Sequence, residues 1–202
     1  MKVYAESNLV LELVLEQEQG GACEELIGLA ESRAIELALP AYALLEPYQT
    51  IVRRNNERRT LIEAVRRERV QLQRRTSLAS DVGRLQDAGD LLLRASQDAF
   101  ARFSEVRGKL VRSAELLVVD GSVLKTAEAD ASRFGLEFPD AVMVATVYLD
   151  AAKHKTASIF LNRNTKDFLD PDVGKYLASV NCKVIGSFDN GLARVKSELG
   201  QA

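Results

Sequence analysis

The chain is poor in the residues on which several familiar sites are built. Its 202 residues include one histidine, two cysteines, four prolines and no tryptophan. His154 stands between Lys153 and Lys155, which is typical of an exposed helix end and disfavours a Ser-His-Asp or Cys-His catalytic arrangement. Cys23 and Cys182 lack metal-motif spacing, so we interpret both as buried apolar residues of a reduced protein.

Several sequence motifs are also absent. The chain has no Gly-x-Gly-x-x-Gly, no phosphate loop ending in Gly-Lys-Ser/Thr, no His-Glu-x-x-His and no Cys-x-x-Cys pair, which disfavours nucleotide cofactors and zinc. It has neither a charged-then-apolar leader nor an apolar run near the ~20 residues that a membrane helix needs. We therefore expect a soluble cytoplasmic protein with no membrane contact.

The overall charge is close to balanced. Lysine and arginine number 27 against 29 acidic residues, so the molecule as a whole does not attract nucleic acid and any such affinity has to be local. Hydrophobic residues make up 47% of the chain, enough to fill an ordinary core. This length and composition suit one α/β domain with an insertion, or two small domains.

Short apolar segments alternate with helical patterns at both ends of the chain. The strands that we predict span residues 2–5, 34–39, 116–119, 157–161 and 183–186. Helices lie between them, with Pro40 opening one helix and Gly135 closing another. Strands that alternate with helices favour a mainly parallel sheet that is covered on both faces, and thus an α/β fold.

The middle of the chain is helical over an unusual length. A helical pattern continues from Ala41 to about residue 75, and apolar residues recur at helical spacing again from Leu85 to Leu110. A short break at residues 76–83 joins the two segments. This pattern predicts an antiparallel helical hairpin.

Oxygen-bearing side chains stand at the ends of the predicted strands and helices. The candidate ligands are Glu6, Glu46, Asp140, Asn164 and Asp167. Parallel sheets gather strand ends at one crevice, and Mg²⁺ and Mn²⁺ prefer oxygen ligands, so the set favours an acidic metal site. Each residue also has a structural interpretation: Asp140 could cap its helix, and Glu46 could be a solvated helix residue.

Four segments carry a resemblance to a known family. They are Val3-Tyr4-Ala5-Glu6-Ser7-Asn8-Leu9-Val10, Leu39-Pro40 leading to Glu46, Leu136-Glu137-Phe138-Pro139-Asp140-Ala141, and Ile159-Phe160-Leu161-Asn162-Arg163-Asn164-Thr165-Lys166-Asp167-Phe168. With these segments in this order, the chain resembles the PIN-domain family. Members of that family are metal-dependent ribonucleases, and they include the toxins of many bacterial toxin-antitoxin pairs. The resemblance covers about residues 1 to 50 and 113 to 188.

The resemblance implies a fold, an activity and partners. The fold would be a PIN-like parallel sheet flanked by helices, in a single domain of residues 1–202 with a helical insertion at approximately 53–112. The activity would be endonucleolytic hydrolysis of RNA with Mg²⁺ or Mn²⁺. Besides RNA, the candidate partners are an antitoxin protein and a second copy of the chain.

The resemblance also assigns roles to residues. The catalytic residues would be Glu6, Glu46, Asp140 and Asp167, with Asn164 as a further metal ligand. Asn8 and Asn162 would contact phosphate or support the ligands. Two positions depart from the family pattern, because Glu6 replaces an aspartate and Asn164 replaces a carboxylate. They favour the alternative of a non-catalytic RNA-binding or protein-interaction module with a degraded metal site.

A basic stripe marks the first helix of the hairpin. Residues 53–75 hold nine arginines and three glutamates, a local charge of +6 that leaves about −8 for the rest of the chain. Such a stripe can follow a phosphate backbone, and we assign RNA contacts to Arg66, Arg67, Arg74 and Arg75. The alternatives are a solvated helix with pairs such as Glu63 with Arg67, or a surface covered by a partner protein or second subunit.

Overall fold

The computed structural model describes residues 1–78, 80–163 and 170–200. The chain divides into two compact units. The sheet unit comprises residues 1–47 and those from 105 onward, and the hairpin unit comprises residues 48–104. Within the described ranges, no helix has both the length and the apolar character needed to cross a membrane.

The sheet unit is built on five parallel strands. They are β1 (Lys2–Ala5), β2 (Glu36–Pro40), β3 (Glu115–Leu117), β4 (Ser158–Leu161) and β5 (Cys182–Ile185). Their order is β3-β2-β1-β4-β5, and every neighbouring pair is parallel. The predicted α/β fold with a parallel sheet is therefore confirmed. Pro40 does not open a helix as predicted: it is the last residue of β2 and is followed by a 3-10 turn, Ala41–Leu44.

Eight α-helices lie in the described ranges. They are α1 (Ser7–Val14), α2 (Gly20–Glu31), α3 (Leu45–Leu72), α4 (Gly83–Ser113), α5 (Gly121–Phe134), α6 (Phe138–His154), α7 (Pro171–Ala178) and α8 (Phe188–Glu198). Their ends follow familiar rules. Asp120 accepts hydrogen bonds from the backbone N–H groups at the start of α5, and Gly135 ends that helix in the left-handed conformation.

The central strands of the sheet are buried on both faces. All four residues of β1 and all four of β4 are buried, and Tyr4 and Phe160 are among the largest fully buried side chains. Helices that cover both faces of a parallel sheet explain why each of these strands ends in three consecutive apolar residues rather than alternating with polar ones. Cys23 and Cys182 are buried and free of disulfide bonds.

A buried lysine ties the amino-terminal edge of the sheet. Lys2 Nζ lies 2.7 Å from Asp150 Oδ2 and 2.8 Å from Glu115 Oε2, and Tyr4 donates a 2.8 Å hydrogen bond to Asp150 Oδ2. Burial opposes the charge of Asp150, but the hydrogen bonds from Lys2 and Tyr4 outweigh it and lower the pKa of this carboxyl. His154, the last residue of α6, joins this network with Nε2 3.2 Å from Lys2 Nζ.

The hairpin unit contains the larger parts of α3 and α4. Its buried side chains include Ile51, Ile62, Ala99 and Phe103. The ring centroids of Tyr48 and Phe103 are 5.8 Å apart. Arg58 Nη1 donates a 3.1 Å hydrogen bond from α3 to the Ala95 carbonyl of α4. These contacts show two paired helices, as the sequence pattern predicts.

Candidate functional site

The carboxyl edge of the sheet brings several of the predicted site residues together. Ala5 of β1 pairs with Leu161 of β4, so the residues that follow them, Glu6 and Asn162, leave adjacent strands at the same edge. The backbone N–H of Glu6 continues the ladder by donating to the Leu161 carbonyl at 3.3 Å. This register is the reason that two residues 156 positions apart in sequence lie near one another.

The carboxylate of Glu6 is buried, and Asn8 and Arg163 donate hydrogen bonds to it. Its Oε1 accepts a 2.8 Å hydrogen bond from Asn8 Nδ2 and a 2.6 Å hydrogen bond from the backbone N–H of Arg163. Hydrogen bonds to an ionised oxygen are stronger than neutral ones and fix its orientation. Glu6 therefore connects the start of α1 to the chain that follows β4. Asn8 uses its amide group in this bond.

Glu46 is held by a neighbour of Glu6. The hydroxyl of the buried Ser7 donates a 2.6 Å hydrogen bond to Glu46 Oε2. Glu46 lies in the first turn of α3 and is half-buried rather than fully solvated. A carboxylate in the first turn is also stabilised by the helix dipole. The bond brings the start of α3 to the start of α1.

Asp140 and Glu46 both influence the electrostatics of one residue, Tyr42. Burial raises the pKa of the Tyr42 hydroxyl, and the negative charges of Glu46 and Asp140 raise it further. Both carboxylates therefore act on one tyrosine of the 3-10 turn. Asp140 does not cap α6, because Glu137 occupies the N-cap and Asp140 stands inside the first turn.

An ion pair that the sequence analysis did not identify adjoins Glu6. Glu12 of α1 is fully buried, and its carboxylate bonds to Arg163 Nη1 and accepts a 2.8 Å hydrogen bond from the Gln19 backbone. Arg163 Nη2 lies 2.9 Å from Glu18 Oε2. The available signal was the position of Glu12, three residues after Leu9 on the buried face of α1.

Asn162 presents an unusual polar group. Its side chain is fully buried, and neither Nδ2 nor Oδ1 has a hydrogen-bond partner among the described residues. Buried amide groups are normally satisfied, so an orphaned one calls for a partner such as a ligand, an ion or water. Asn164 and Asp167, which the sequence analysis also assigned to the site, lie outside the described residues.

The donor chemistry of this edge fits a hard divalent cation. Glu6, Glu46 and Asp140 offer carboxylate oxygens, and Asn162 adds a buried amide oxygen without a described partner. Across residues 1–78, 80–163 and 170–200, however, no three His, Cys, Asp or Glu side chains are grouped closely enough to hold a metal ion. The described carboxylates alone do not complete a coordination shell.

The predicted basic stripe, residues 53–75, lies in the hairpin unit: it covers the second part of α3 and the three residues that follow this helix. Arg66, Arg67, Arg74 and Arg75 are all exposed. None of the four forms an ion pair with another described residue, so the proposed pair between Glu63 and Arg67 is absent. Their charge is directed to solvent rather than to acidic neighbours of the same helix.

Comparison with known proteins identifies a family. The family model described as PIN domain matches residues 3–168. No curated protein matches the chain. Among solved structures, one described as a toxin-antitoxin complex from Klebsiella pneumoniae is 13% identical, with a TM-score of 0.45, and the match covers 85% of this chain and 93% of that chain.

Proposed function

The chain belongs to the PIN-domain family, and on that basis we propose that it is a metal-dependent endoribonuclease that hydrolyses RNA phosphodiester bonds. PIN domains are generally nucleases. The observation that carries the proposal is that Ser7, the neighbour of Glu6 at the carboxyl end of β1, donates a 2.6 Å hydrogen bond to Glu46. The charges of Glu46 and Asp140 both raise the pKa of Tyr42, which agrees with this placement. A collection of negative charge at the carboxyl edge of a parallel sheet suits a cation that binds phosphate.

The proposed ligands of Mg²⁺ or Mn²⁺ are Glu6, Glu46 and Asp140, with Asn164 or Asp167 completing the set. When bound, such an ion lowers the pKa of a water molecule and neutralises charge on the phosphate. The chain itself orients the ligands: Ser7 holds Glu46, and the donors on Glu6 fix its carboxylate. Glu6, Glu46, Asp140 and Asp167 are thus the proposed catalytic residues.

The RNA contacts are proposed in two places. Asn162 is proposed to support the phosphate site at the edge of the sheet, because its amide is fully buried and no described residue uses its donor or its acceptor. Asn8 is proposed to support the site through its bond to Glu6 rather than to contact RNA by itself. The exposed arginines at 66, 67, 74 and 75 would contact the phosphate backbone along the hairpin.

The same proposal extends to the domain organisation, the biological role and the partners of the chain. We regard residues 1–202 as one PIN-like domain in which the hairpin is an insertion, and a role as the toxin of a toxin-antitoxin pair as its most direct biological use. An antitoxin protein and a second copy of the chain are then the candidate protein partners, and the cytoplasm is the expected location.

A non-catalytic RNA-binding or protein-interaction module is the second candidate. Two observations favour it: Glu6 Oε1 already accepts two hydrogen bonds, and the described carboxylates include no group of three that could hold an ion. In this case the fold would be retained while the affinity for the cation is lost.

A manganese titration separates the two candidates. We expect the wild-type protein to bind Mn²⁺ and Asp140→Asn to lose at least about tenfold in affinity, because the substitution removes a ligand charge. Asp172→Asn is the matched control, since Asp172 is an exposed acid in the first turn of α7. Calorimetry on the three proteins gives the affinities, and absence of binding by the wild type would favour the non-catalytic module.

A second experiment tests the basic stripe. Replacing Arg66, Arg67, Arg74 and Arg75 by glutamine should weaken RNA binding and flatten its salt dependence, since each lost phosphate contact on single-stranded RNA reduces the log-log slope by about 0.7. Binding is measured between low and moderate salt. The control replaces Arg33 and Arg194, two exposed arginines of the sheet unit.

Equal RNA affinities and equal salt slopes for the quadruple variant and the wild type would contradict this role. The stripe would then be a surface for protein contacts or a solvated helix. An unchanged Mn²⁺ affinity in the same variant is the expected companion result, because the arginines offer no ligand to a cation.

A further inference from the structure

We propose that Arg163 is a positioning residue that fixes the carboxylate of Glu6, an inference that rests on the proposed nuclease function. Arg163 follows β4 and contacts α1 at two points. Its backbone N–H donates to Glu6 Oε1 at 2.6 Å, at the N-cap of α1. Its guanidinium binds the carboxylate of Glu12, within the same helix.

The second contact is strong because of its surroundings. Glu12 is fully buried, and among the described residues Arg163 is its cationic partner. A buried carboxylate is costly unless it is paired and hydrogen-bonded. The buried carboxylate of Glu12 therefore favours a conformation in which the guanidinium of Arg163 stays beside it. The Gln19 backbone N–H supplies a further donor to Glu12. The guanidinium is therefore held in one position.

The shape of arginine matters for this role. One nitrogen of the guanidinium binds Glu12, and a second lies 2.9 Å from Glu18 Oε2 beyond the end of α1. A planar fork can engage both carboxylates at once, whereas the ammonium of a lysine is a single point charge. The anchored side chain restrains its own backbone, and that backbone carries the N–H that binds Glu6.

Glu6 stands at a position where the family pattern has an aspartate, and the contacts of Arg163 bear on this difference. The longer side chain reaches two donors, the N–H of Arg163 and the amide of Asn8, which set the orientation of its carboxylate. Partners that orient a ligand commonly change metal affinity by about 10-fold to 100-fold when they are removed. The ion pair between Glu12 and Arg163 should therefore control the affinity for a cation without contacting it.

The test removes the ion pair without leaving an unpaired charge in the buried part of the site. The double variant Glu12→Gln/Arg163→Gln replaces both charged groups by neutral amides, which avoids a lone buried charge and should permit folding. Arg163→Lys retains the charge but not the fork. Lys196→Gln is the matched control, because it breaks the 2.7 Å ion pair with Glu25 of α2, a helix that contains no proposed ligand.

Two measurements are made on each folded protein. The first is the proton chemical shift of the backbone amide at residue 163, which a short bond to a carboxylate moves downfield. The second is the Mn²⁺ affinity by calorimetry. We expect the double variant to show an upfield shift and an affinity about 10-fold to 100-fold lower, Arg163→Lys to lie between it and the wild type, and Lys196→Gln to match the wild type.

The outcomes separate the two levels of the proposal. An unchanged amide shift, or a changed shift with wild-type Mn²⁺ affinity, overturns the positioning role and leaves the nuclease proposal intact. A wild-type protein that binds no Mn²⁺ overturns the metal-dependent function and, with it, the inference that depends on it. Loss of affinity in the double variant together with the amide shift supports both.

Discussion

Replacing Gly191 by alanine tests how closely α8 packs against the strand that leads to the site. A Cβ at this position would overlap with Leu161 Cδ2 and would lie 2.8 Å from Cδ1 and 3.2 Å from Cγ. Leu161 is the last residue of β4 and is fully buried, so its side chain cannot move into solvent. The added methyl group therefore forces a rearrangement inside the core.

The expected magnitude combines two opposing effects. Alanine in place of glycine within a helix stabilises by roughly 1 kcal/mol. Overpacking a core costs about 1 to 3 kcal/mol, and the contacts with Leu161 Cδ1 and Cδ2 lie below the distances that real Cβ atoms show, so the upper part of that range applies. We expect a net loss of about 1 to 2 kcal/mol, equivalent to a Tm lower by about 2 to 8 °C for a chain of this size.

The matched control is Gly174→Ala in α7, where a Cβ would meet no atom within 4 Å. This variant should be more stable than the wild type by up to about 1 kcal/mol, because only the helix preference changes. Urea unfolding of the three proteins gives the free energies. A Gly191→Ala protein as stable as the wild type, or more so, would refute the close packing of α8 on Leu161.

The remaining predictions concern charged residues of the sheet unit. Asp150→Asn should reduce the free energy of unfolding by about 2 to 4 kcal/mol, because it leaves the buried Lys2 with weaker partners. Since folding lowers the pKa of Asp150, the difference in stability from the wild type should be present near neutral pH and vanish as the pH falls through the folded pKa. Urea titrations in which the difference grows in acid would contradict this. Ser7→Ala removes the donor to Glu46 and should cost about 1 to 3 kcal/mol in urea unfolding and about tenfold in Mn²⁺ affinity, with wild-type values as the contrary result. Glu6→Asp shortens the side chain, so that its carboxylate no longer reaches the donors on Asn8 and Arg163, and we expect weaker Mn²⁺ binding by calorimetry. Tighter binding would show that the longer side chain impairs the site.

The architecture of the sheet could be predicted from the sequence because its signals are local. Continuous apolar runs such as Ile159 to Leu161 identify buried parallel strands, and Gly135 marks a helix end by the conformation that only glycine adopts readily. Pro40 misled because proline is acceptable both at the first turn of a helix and at the end of a strand. The local pattern contains no information that separates the two.

The site could be predicted only in part for a different reason. Glu46 and Asp140 stand out because each is a carboxylate in an otherwise apolar helical pattern, and the charges of both raise the pKa of Tyr42. The pairing of Glu12 with Arg163 spans 151 positions and depends on the register of β1 against β4, which no local pattern contains. A buried acid on an apolar helix face indicates only that some partner exists.

The most direct test of the central claim is cleavage of a mixed RNA pool with and without Mn²⁺. We predict that the wild-type protein cuts RNA only when the divalent ion is present, that a chelator stops the reaction, and that Asp140→Asn is folded but inactive while Asp172→Asn retains activity. Cleavage that persists in chelator, or that survives in Asp140→Asn, would contradict a metal-dependent nuclease built on this carboxylate. A wild-type protein that binds RNA but never cuts it would favour the non-catalytic module instead.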